Sequence, residues 1–159
     1  RMLLVGEDIK FIARRILILA AEDIGLANPN ALTVANNCFQ AINVIGNPEA
    51  RIILSETAVY VAVYEKSNFT FVAIKDAMAK VKQTGNLPVP LHLRNAPTKL
   101  MKDLNYGKDY GYAHSHEGNF IDQEFLPEEI AGTKFYEPGN NSTENKIREE
   151  LKRKWKDKY

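Results

Sequence analysis

The chain has 159 residues, of which 45% are hydrophobic and 26% charged, and its formal net charge at pH 7 is +1. This composition is typical of one globular domain, and it disfavours binding to nucleic acid through bulk positive charge. A single cysteine excludes a disulfide framework, and the sequence has neither an apolar run of about 18 residues nor a signal peptide, so we expect a cytoplasmic protein with no membrane partner.

Two amphipathic helices are predicted at the start of the chain. Over residues 8–24 the apolar side chains recur at spacings of three and four, and Gly25 ends the pattern. After an Asn-Pro turn, Asn30 is predicted to cap a second helix over residues 31–45. Each helix has one broad apolar stripe, so we expect the two helices to share a core.

Two further helices are predicted after this pair. Asn47, with Pro48 after it, is expected to cap a third helix that ends near Tyr64, while the β-branched residues of this stretch leave a strand as the alternative. A fourth helix is predicted over residues 69–84. Its side chains expected in the core are Phe71, Val72, Ile74, Ala77, Met78 and Val81. Four helices with short loops favour a compact bundle or helical array.

A proline-rich block, residues 88–102, follows the four helices. Its prolines restrict the backbone, so this connection is expected to be stiff and to hold its polar side chains in fixed positions. We predict that it acts in packing or in an interface, together with charged residues of the first helix. The residues in this prediction are Arg14, Arg15, Glu22, Asp23, Leu91, His92, Leu93, Arg94 and Asn95. For the four residues of the first helix, plain surface charge is the alternative.

A short fifth helix is predicted over residues 98–104, and residues 105–140 then show little periodicity. Aromatic residues in this irregular segment are expected to hold it against the bundle. The lysines of the fifth helix, together with the lysine and tyrosines that follow it, also have the composition of a loop that contacts phosphates and stacks on bases. The residues predicted for such DNA contact are Lys99, Lys102, Lys108 and Tyr110. Packing on the bundle is the alternative.

Catalytic and metal sites are disfavoured. His114 and His116 form a close pair, but only His92 remains besides them, so they are a weak ligand set and an exposed loop is favoured. The chain contains no glycine-rich phosphate loop and no nucleophile elbow. An enzyme built on these histidines is therefore the least supported of three hypotheses, behind an assembly module and a nucleic-acid-binding module.

A terminal helix is predicted from Asn141, because Asn141 and Glu144 have the spacing of a capping box. This helix is basic: residues 141–159 hold seven basic against four acidic residues, whereas residues 116–137 hold six acidic residues against one lysine. Opposed patches of this kind favour pairing with each other, or with a neighbouring subunit, over pairing with DNA.

The predicted organisation is one all-α domain. A compact helical bundle occupies residues 1–87, an irregular segment over residues 88–140 wraps it, and the basic helix occupies residues 141–159. Because the chain opens with Arg1 rather than Met and enters a helical pattern almost at once, we expect it to be a piece of a longer protein.

Several stretches of the sequence carry a resemblance to a known family. The most specific is Pro90-Leu-His-Leu-Arg-Asn-Ala-Pro-Thr-Lys-Leu-Met101, and the others are Phe11-Ile-Ala-Arg-Arg15, Glu22-Asp-Ile-Gly-Leu26, Lys66-Ser-Asn68, Tyr106-Gly-Lys108 and Gln123-Glu-Phe-Leu-Pro-Glu-Glu129. Together they resemble the C-terminal region of the RarA/MgsA family. The members of this family are replication-associated AAA+ ATPases related to the Werner helicase-interacting protein.

The resemblance implies a domain like a clamp-loader collar that assembles the subunits of a parent ATPase into a tetramer. It implies that ATP and magnesium bind an upstream core, so this fragment is expected to hold no cofactor and to catalyse no reaction. It also implies a role in DNA replication, recombination and repair at stalled forks. The partners it implies are DNA and single-strand DNA-binding protein, and the implied location is the bacterial cytoplasm near the nucleoid.

Overall fold

The computed structural model describes residues 1–158, and the prediction of an all-α fold is confirmed. The α-helices are α1 (Ile9–Leu19), α2 (Asn30–Ile45), α3 (Ala50–Val63), α4 (Phe69–Thr84), α5 (Lys99–Asp103) and α6 (Ser142–Trp155). None of the described residues lies in a β-strand. No helix within residues 1–158 is long and apolar enough to cross a membrane.

The first predicted helix is α-helical only in its first part. Asp8 caps α1, because its carboxylate accepts hydrogen bonds from two backbone amides of the first turn. After α1 the chain continues as a π-helical turn, Ala20–Ile24, which ends at Gly25. Gly25 has a φ of +50°, and a Cβ at this position would lie 2.6 Å from the carbonyl oxygen of Ser67. Only glycine therefore fits without strain.

Two predicted helix caps are wrong. α2 begins at Asn30 itself, because the Asn28 side chain accepts a hydrogen bond from the Asn30 amide at 3.2 Å. α3 begins at Ala50 and has no side-chain cap. The Ala50 amide donates to the carbonyl of Gly46 at 2.9 Å, so a backbone turn replaces the cap predicted at Asn47. The prediction that this stretch is a helix rather than a strand is confirmed.

The chain divides into two compact units: residues 1–74 with 136–147, and residues 75–135 with the end of the chain from residue 148. In the first unit, α1, α2 and α3 enclose two clusters of buried side chains. One cluster consists of Ala13, Cys38, Ile42, Ala50 and Leu54, and the other of Ala20, Ile24, Ala31, Ala35 and Val61. Half of these residues are alanines, which lets the helix backbones approach closely. The predicted division after residues 87 and 140 stays a prediction.

Aromatic contacts hold part of the second unit together. Phe120 and Phe125 pack edge-on against Trp155, with ring centroids 5.0 and 6.2 Å apart. The short fifth helix is confirmed as α5, and Thr98 caps it by accepting a hydrogen bond from the Met101 amide at 3.3 Å. The aromatic contacts attach the end of α6 to the irregular segment of the same unit.

α4 has the predicted bounds, but the prediction that its apolar residues lie in the core is wrong. No residue of α4 is buried, and the side chains expected in the core are exposed or, for Ala77, half-buried. The half-buried side of the helix carries alanine, threonine and lysine instead. The amphipathic pattern therefore identifies the helix correctly, but the described chain does not cover its large apolar residues.

Candidate assembly surface and buried anchors

A buried carboxylate fixes the start of α6. Glu144 is 0% exposed, and its side chain accepts hydrogen bonds from the Tyr136 hydroxyl at 2.8 Å and from the side-chain amide of Asn141. The Glu144 backbone amide in turn donates to the Asn141 side-chain oxygen at 2.9 Å. The predicted helix start at Asn141 is therefore confirmed.

The surroundings of Glu144 favour its charged form. Burial by itself raises the pKa of this carboxyl, but the nearby Ser67 side chain and the hydrogen bonds from Asn141 and Tyr136 outweigh burial and hold the pKa below its ordinary value. Gly139 lets the backbone pass close by, since a Cβ there would lie 2.7 Å from the Glu144 carboxylate. Neutral hydrogen-bond donors thus stabilise a buried negative charge.

Ser67 joins three stretches of the first unit. Its backbone amide donates to the Asp23 carbonyl at 2.6 Å, and its side chain lies beside the Glu144 carboxylate. Thr143, the residue before Glu144, donates a hydrogen bond to the Ala27 carbonyl at 3.0 Å. Two of the stretches that carry the family resemblance, those containing Asp23 and Ser67, therefore meet at the start of α6. They hold the fold of the first unit together.

The charged residues singled out near the start of the chain have exposed side chains. These residues are Arg14, Arg15, Glu22 and Asp23. The Arg14 guanidinium lies 5.4 Å from the centre of the Phe11 ring. Arg15, Glu22 and Asp23 line a surface cavity of about 250 Å³. The interface role of these residues stays a prediction.

Polar members of the proline-rich block bond to later segments of the second unit. The Arg94 guanidinium donates to the Val89 carbonyl at 2.6 Å and to the Tyr106 hydroxyl at 3.1 Å, and it lies 5.0 Å from the centre of the Tyr106 ring. His92 Nε2 lies 3.0 Å from the carbonyl oxygen of Glu124. These contacts tie the block to the segments around residues 106 and 124.

The other members of the block are more exposed. The Leu91 carbonyl accepts a hydrogen bond from the Gly107 amide at 2.8 Å, while its side chain is exposed. Leu93 is half-buried and Asn95 is exposed. The block therefore helps to build the second unit, and its assignment to a subunit interface stays a prediction.

Glu124 is a second anchor, and sequence reasoning did not identify it. Its carboxylate accepts hydrogen bonds from the amides of Phe125, Leu126 and Gly132 at 2.9, 2.9 and 2.8 Å, and it lies 3.4 Å from Lys158 Nζ. The Leu126 amide is the largest cause that lowers the pKa of Glu124 to about 2, and the other partners add to it against the effect of burial. No sequence pattern marks this role, since a glutamate in an acidic segment usually faces water.

The residues predicted to contact DNA are exposed on α5 and on the loop that follows it. They are Lys99, Lys102, Lys108 and Tyr110. Nearby in the sequence, the rings of Tyr112 and His114 lie 5.2 Å apart. Within residues 1–158, no group of three or more His, Cys, Asp or Glu is arranged to hold a metal ion. The lysines are accessible to a phosphate backbone, and DNA contact stays a prediction.

Two helices each expose a stripe of apolar side chains. The α4 stripe consists of Phe71 (43% exposed), Ile74 (58%), Met78 (55%) and Val81 (62%). The α3 stripe consists of Ile52 (69% exposed), Val59 (62%) and Val63 (72%). Within each stripe the residues follow one another at spacings of three, four or seven, so they lie on one face of the helix. Contiguous exposed apolar surface marks an interaction site.

The comparison with known proteins identifies the family. Residues 1–155 match the family described as MgsA AAA+ ATPase C terminal. The chain belongs to this family. The resemblance seen in the sequence is therefore confirmed, and this MgsA C-terminal domain consists of the helices described above.

Relatives of this MgsA C-terminal domain are much longer than the chain. Replication-associated recombination protein A of Coxiella burnetii is 44% identical over 152 residues, which are 95% of this chain and 34% of the relative. The protein of the same name from Escherichia coli is 40% identical over 152 residues, with the same coverage. ATPase WRNIP1 of Dictyostelium discoideum is 41% identical over 138 residues, 86% of this chain and 16% of the relative. The chain thus spans about a third of the length of the bacterial relatives it matches.

Proposed function

We propose that this chain is a non-catalytic assembly domain, and that copies of it associate through the exposed apolar faces of α3 and α4. By this association it gathers the ATPase cores of a replication-associated recombination protein into the tetramer that the family resemblance implies. The observation that carries the proposal is the α4 stripe: large apolar side chains stand exposed along one face of a helix. Covering such a face removes apolar surface from water, which favours association.

The size of the effect can be worked out from the exposed fractions. Full burial of a large apolar side chain stabilises by about 1.5–3 kcal/mol, so side chains that are 43–62% exposed contribute about 1 kcal/mol each when a partner covers them. The free energy gained by covering the α4 stripe alone then barely equals the cost of association, which is about 4 kcal/mol or more. We therefore expect the assembly to cover the α3 stripe as well.

The catalytic step belongs to the part of the parent protein outside this chain. The sequence has no glycine-rich phosphate loop, which supports this division. Linked copies raise the effective concentration of the ATPase cores at one stalled fork, to about millimolar for short connections. We expect the chain alone to release no phosphate from ATP in a colorimetric assay, and steady turnover that follows the protein through purification would contradict the proposal.

Sedimentation velocity tests the assembly, over about 1 to 100 µM protein. The wild-type chain is expected to form a species larger than a monomer. Met78→Lys puts a charge into the α4 stripe and is expected to shift the chain towards monomer. Gln83→Lys is the matched control, because it adds the same residue to another exposed side of the same helix. A wild-type chain that stays monomeric at the highest concentration contradicts the proposal.

A nucleic-acid-binding module is the second candidate function. The exposed lysines Lys99, Lys102 and Lys108 favour it, because each can neutralise a phosphate. Fluorescence anisotropy with forked DNA should then show binding that weakens steeply with salt, and replacing all three lysines by alanine should reduce the salt slope by about 2 to 3. Lys10→Ala, on α1, is the control. The absence of binding at low salt would remove this candidate.

A further inference from the structure

We infer that the contact between copies is heterologous: the α4 stripe of one copy packs on the α3 stripe of another. This inference rests on the proposed assembly function, and it adds the identity of the two surfaces that meet. The apolar residues alone do not select a partner, because they pack on any apolar surface of suitable shape. The charged residues beside each stripe make the selection.

Two lysines flank the α4 stripe on the same edge. Lys75 lies four residues after Phe71, and Lys82 lies four residues after Met78, so each is one helical turn further along beside the stripe. Both lysines are exposed. Neither has an ion-pair partner among residues 1–158. A surface that covers the α4 stripe therefore also approaches two unpaired positive charges.

These lysines oppose the pairing of α4 with itself. In an antiparallel pair centred on Met78, Lys75 of one helix lies beside Lys82 of the other, and like charges at this distance are destabilising. In a parallel pair the lysines face the threonine and alanine residues of the opposite edge, which offer no negative charge. The α4 stripe is therefore suited to an apolar surface that carries an acidic residue.

The α3 stripe is such a surface. Glu56 follows Ile52 by four residues and precedes Val59 by three, so it lies within the stripe on the same face of α3. It is exposed and has no ion-pair partner in the part of the chain that the structure describes. Covering it with a purely apolar surface would leave a desolvated, unpaired charge. The α3 stripe therefore requires a partner that brings a cation.

The two stripes also match in length. At 1.5 Å per residue, the α4 stripe extends about 15 Å from Phe71 to Val81, and the α3 stripe extends about 16 Å from Ile52 to Val63. Both repeat with a period of seven residues, the spacing at which the side chains of two helices interlock along a common seam. One stripe can thus cover the other over its whole length, with lysine and glutamate in the same contact.

A contact between two different stripes gives the assembly a direction from one copy to the next. Each copy offers one α3 stripe and one α4 stripe, so every copy that is added leaves one stripe of each kind uncovered until a ring closes. A closed ring of four copies covers all stripes without any stripe meeting its own kind. The tetramer implied by the family resemblance is accounted for in this way by a single repeated contact.

Charge reversal followed by sedimentation velocity at low salt tests this contact. Glu56→Lys alone, and Lys75→Glu with Lys82→Glu, should each weaken self-association by about tenfold or more, because both partners in the contact then carry the same charge. An equimolar mixture of the two variants should regain wild-type association, since each α3 stripe then meets an α4 stripe of opposite charge. Glu65→Lys, an exposed acid just after α3, is the control and should leave association unchanged.

The outcomes separate this inference from the proposed function. Weakening by each variant and recovery in the mixture support the contact between α3 and α4. If the wild-type chain assembles but the variants assemble equally well, or if the mixture fails to recover, the inferred contact is wrong while the assembly function stands. If the wild-type chain is monomeric at about 100 µM, the assembly function fails, and the inferred contact fails with it.

Discussion

Replacing Glu144 by alanine should destabilise the first unit strongly. The substitution removes the acceptor of the Tyr136 hydroxyl and of the Asn141 side chain inside a fully buried site. A hydrogen bond to a charged group contributes about 1.5–3 kcal/mol, and donors left without a partner add a desolvation penalty. We therefore expect a loss of about 3 to 5 kcal/mol, a large part of the 5–15 kcal/mol typical of a domain.

Urea unfolding followed by circular dichroism measures this loss, at one fixed protein concentration because association also contributes to stability. Glu149→Ala is the control: it removes an exposed glutamate from the same helix and should change the free energy of unfolding by less than about 0.5 kcal/mol. If Glu144→Ala costs less than about 1 kcal/mol, or no more than the control, the account of Glu144 as an anchor is refuted.

Three further predictions concern individual residues whose contacts stabilise the fold. The pKa of Glu124 is lowered to about 2. The contribution of the Glu124 carboxylate to the free energy of unfolding is therefore complete above about pH 4.5 and is lost as the pH falls. The stability advantage of wild type over Glu124→Gln should vanish near pH 2. Gly25→Ala should cost about 1 to 3 kcal/mol in urea unfolding, and more than Gly6→Ala, where nothing lies within 4 Å of the added Cβ. Arg94→Lys should lower the Tm by a few degrees, since lysine lacks the planar fork that contacts Tyr106.

Each of these predictions has a contradicting result. If the stability advantage of wild type over Glu124→Gln persists unchanged at pH 2, the charged carboxylate of Glu124 does not stabilise the turn around it. Equal losses for the two glycine substitutions would contradict the close approach of Gly25 to Ser67. An unchanged Tm for Arg94→Lys would show that the guanidinium contacts contribute little.

Local signals predicted most of the helices. The spacing of Asn141 and Glu144 marked the start of α6, and the capping position of Thr98 agrees with the short helix predicted there. The predicted cap at Asn47 failed because a backbone turn through Gly46 takes its place, and no residue type signals that turn. A predicted cap fails where another group takes its place, as the Asn28 side chain does at α2 and the Gly46 carbonyl does at α3.

The complete settings of Glu144 and Glu124 could not be predicted, because each glutamate also has a neighbour that is distant in the sequence. Glu144 lies beside Ser67, which belongs to the loop between α3 and α4, and the Glu124 carboxylate contacts Lys158, 34 residues further along the chain. Only the folded chain brings their hydrogen-bond donors together.

The exposure of the α4 stripe shows a different limit of sequence reasoning. The periodicity of residues 69–84 correctly predicted a helix with one apolar face. Periodicity does not distinguish a face covered by the same chain from a face that is left for another copy. The four side chains of the α4 stripe were therefore assigned to a core that the described chain does not provide.

The mass of the wild-type chain in solution tests the central claim most directly. Light scattering on a size-exclusion column, at about 100 µM loaded protein, should give a mass near four times the 18.0 kDa of one chain. A measured mass near twice the 18.0 kDa of one chain would still indicate association but would contradict a ring of four. A mass of 18.0 kDa at every concentration would contradict the claim that other copies cover the apolar stripes of α3 and α4.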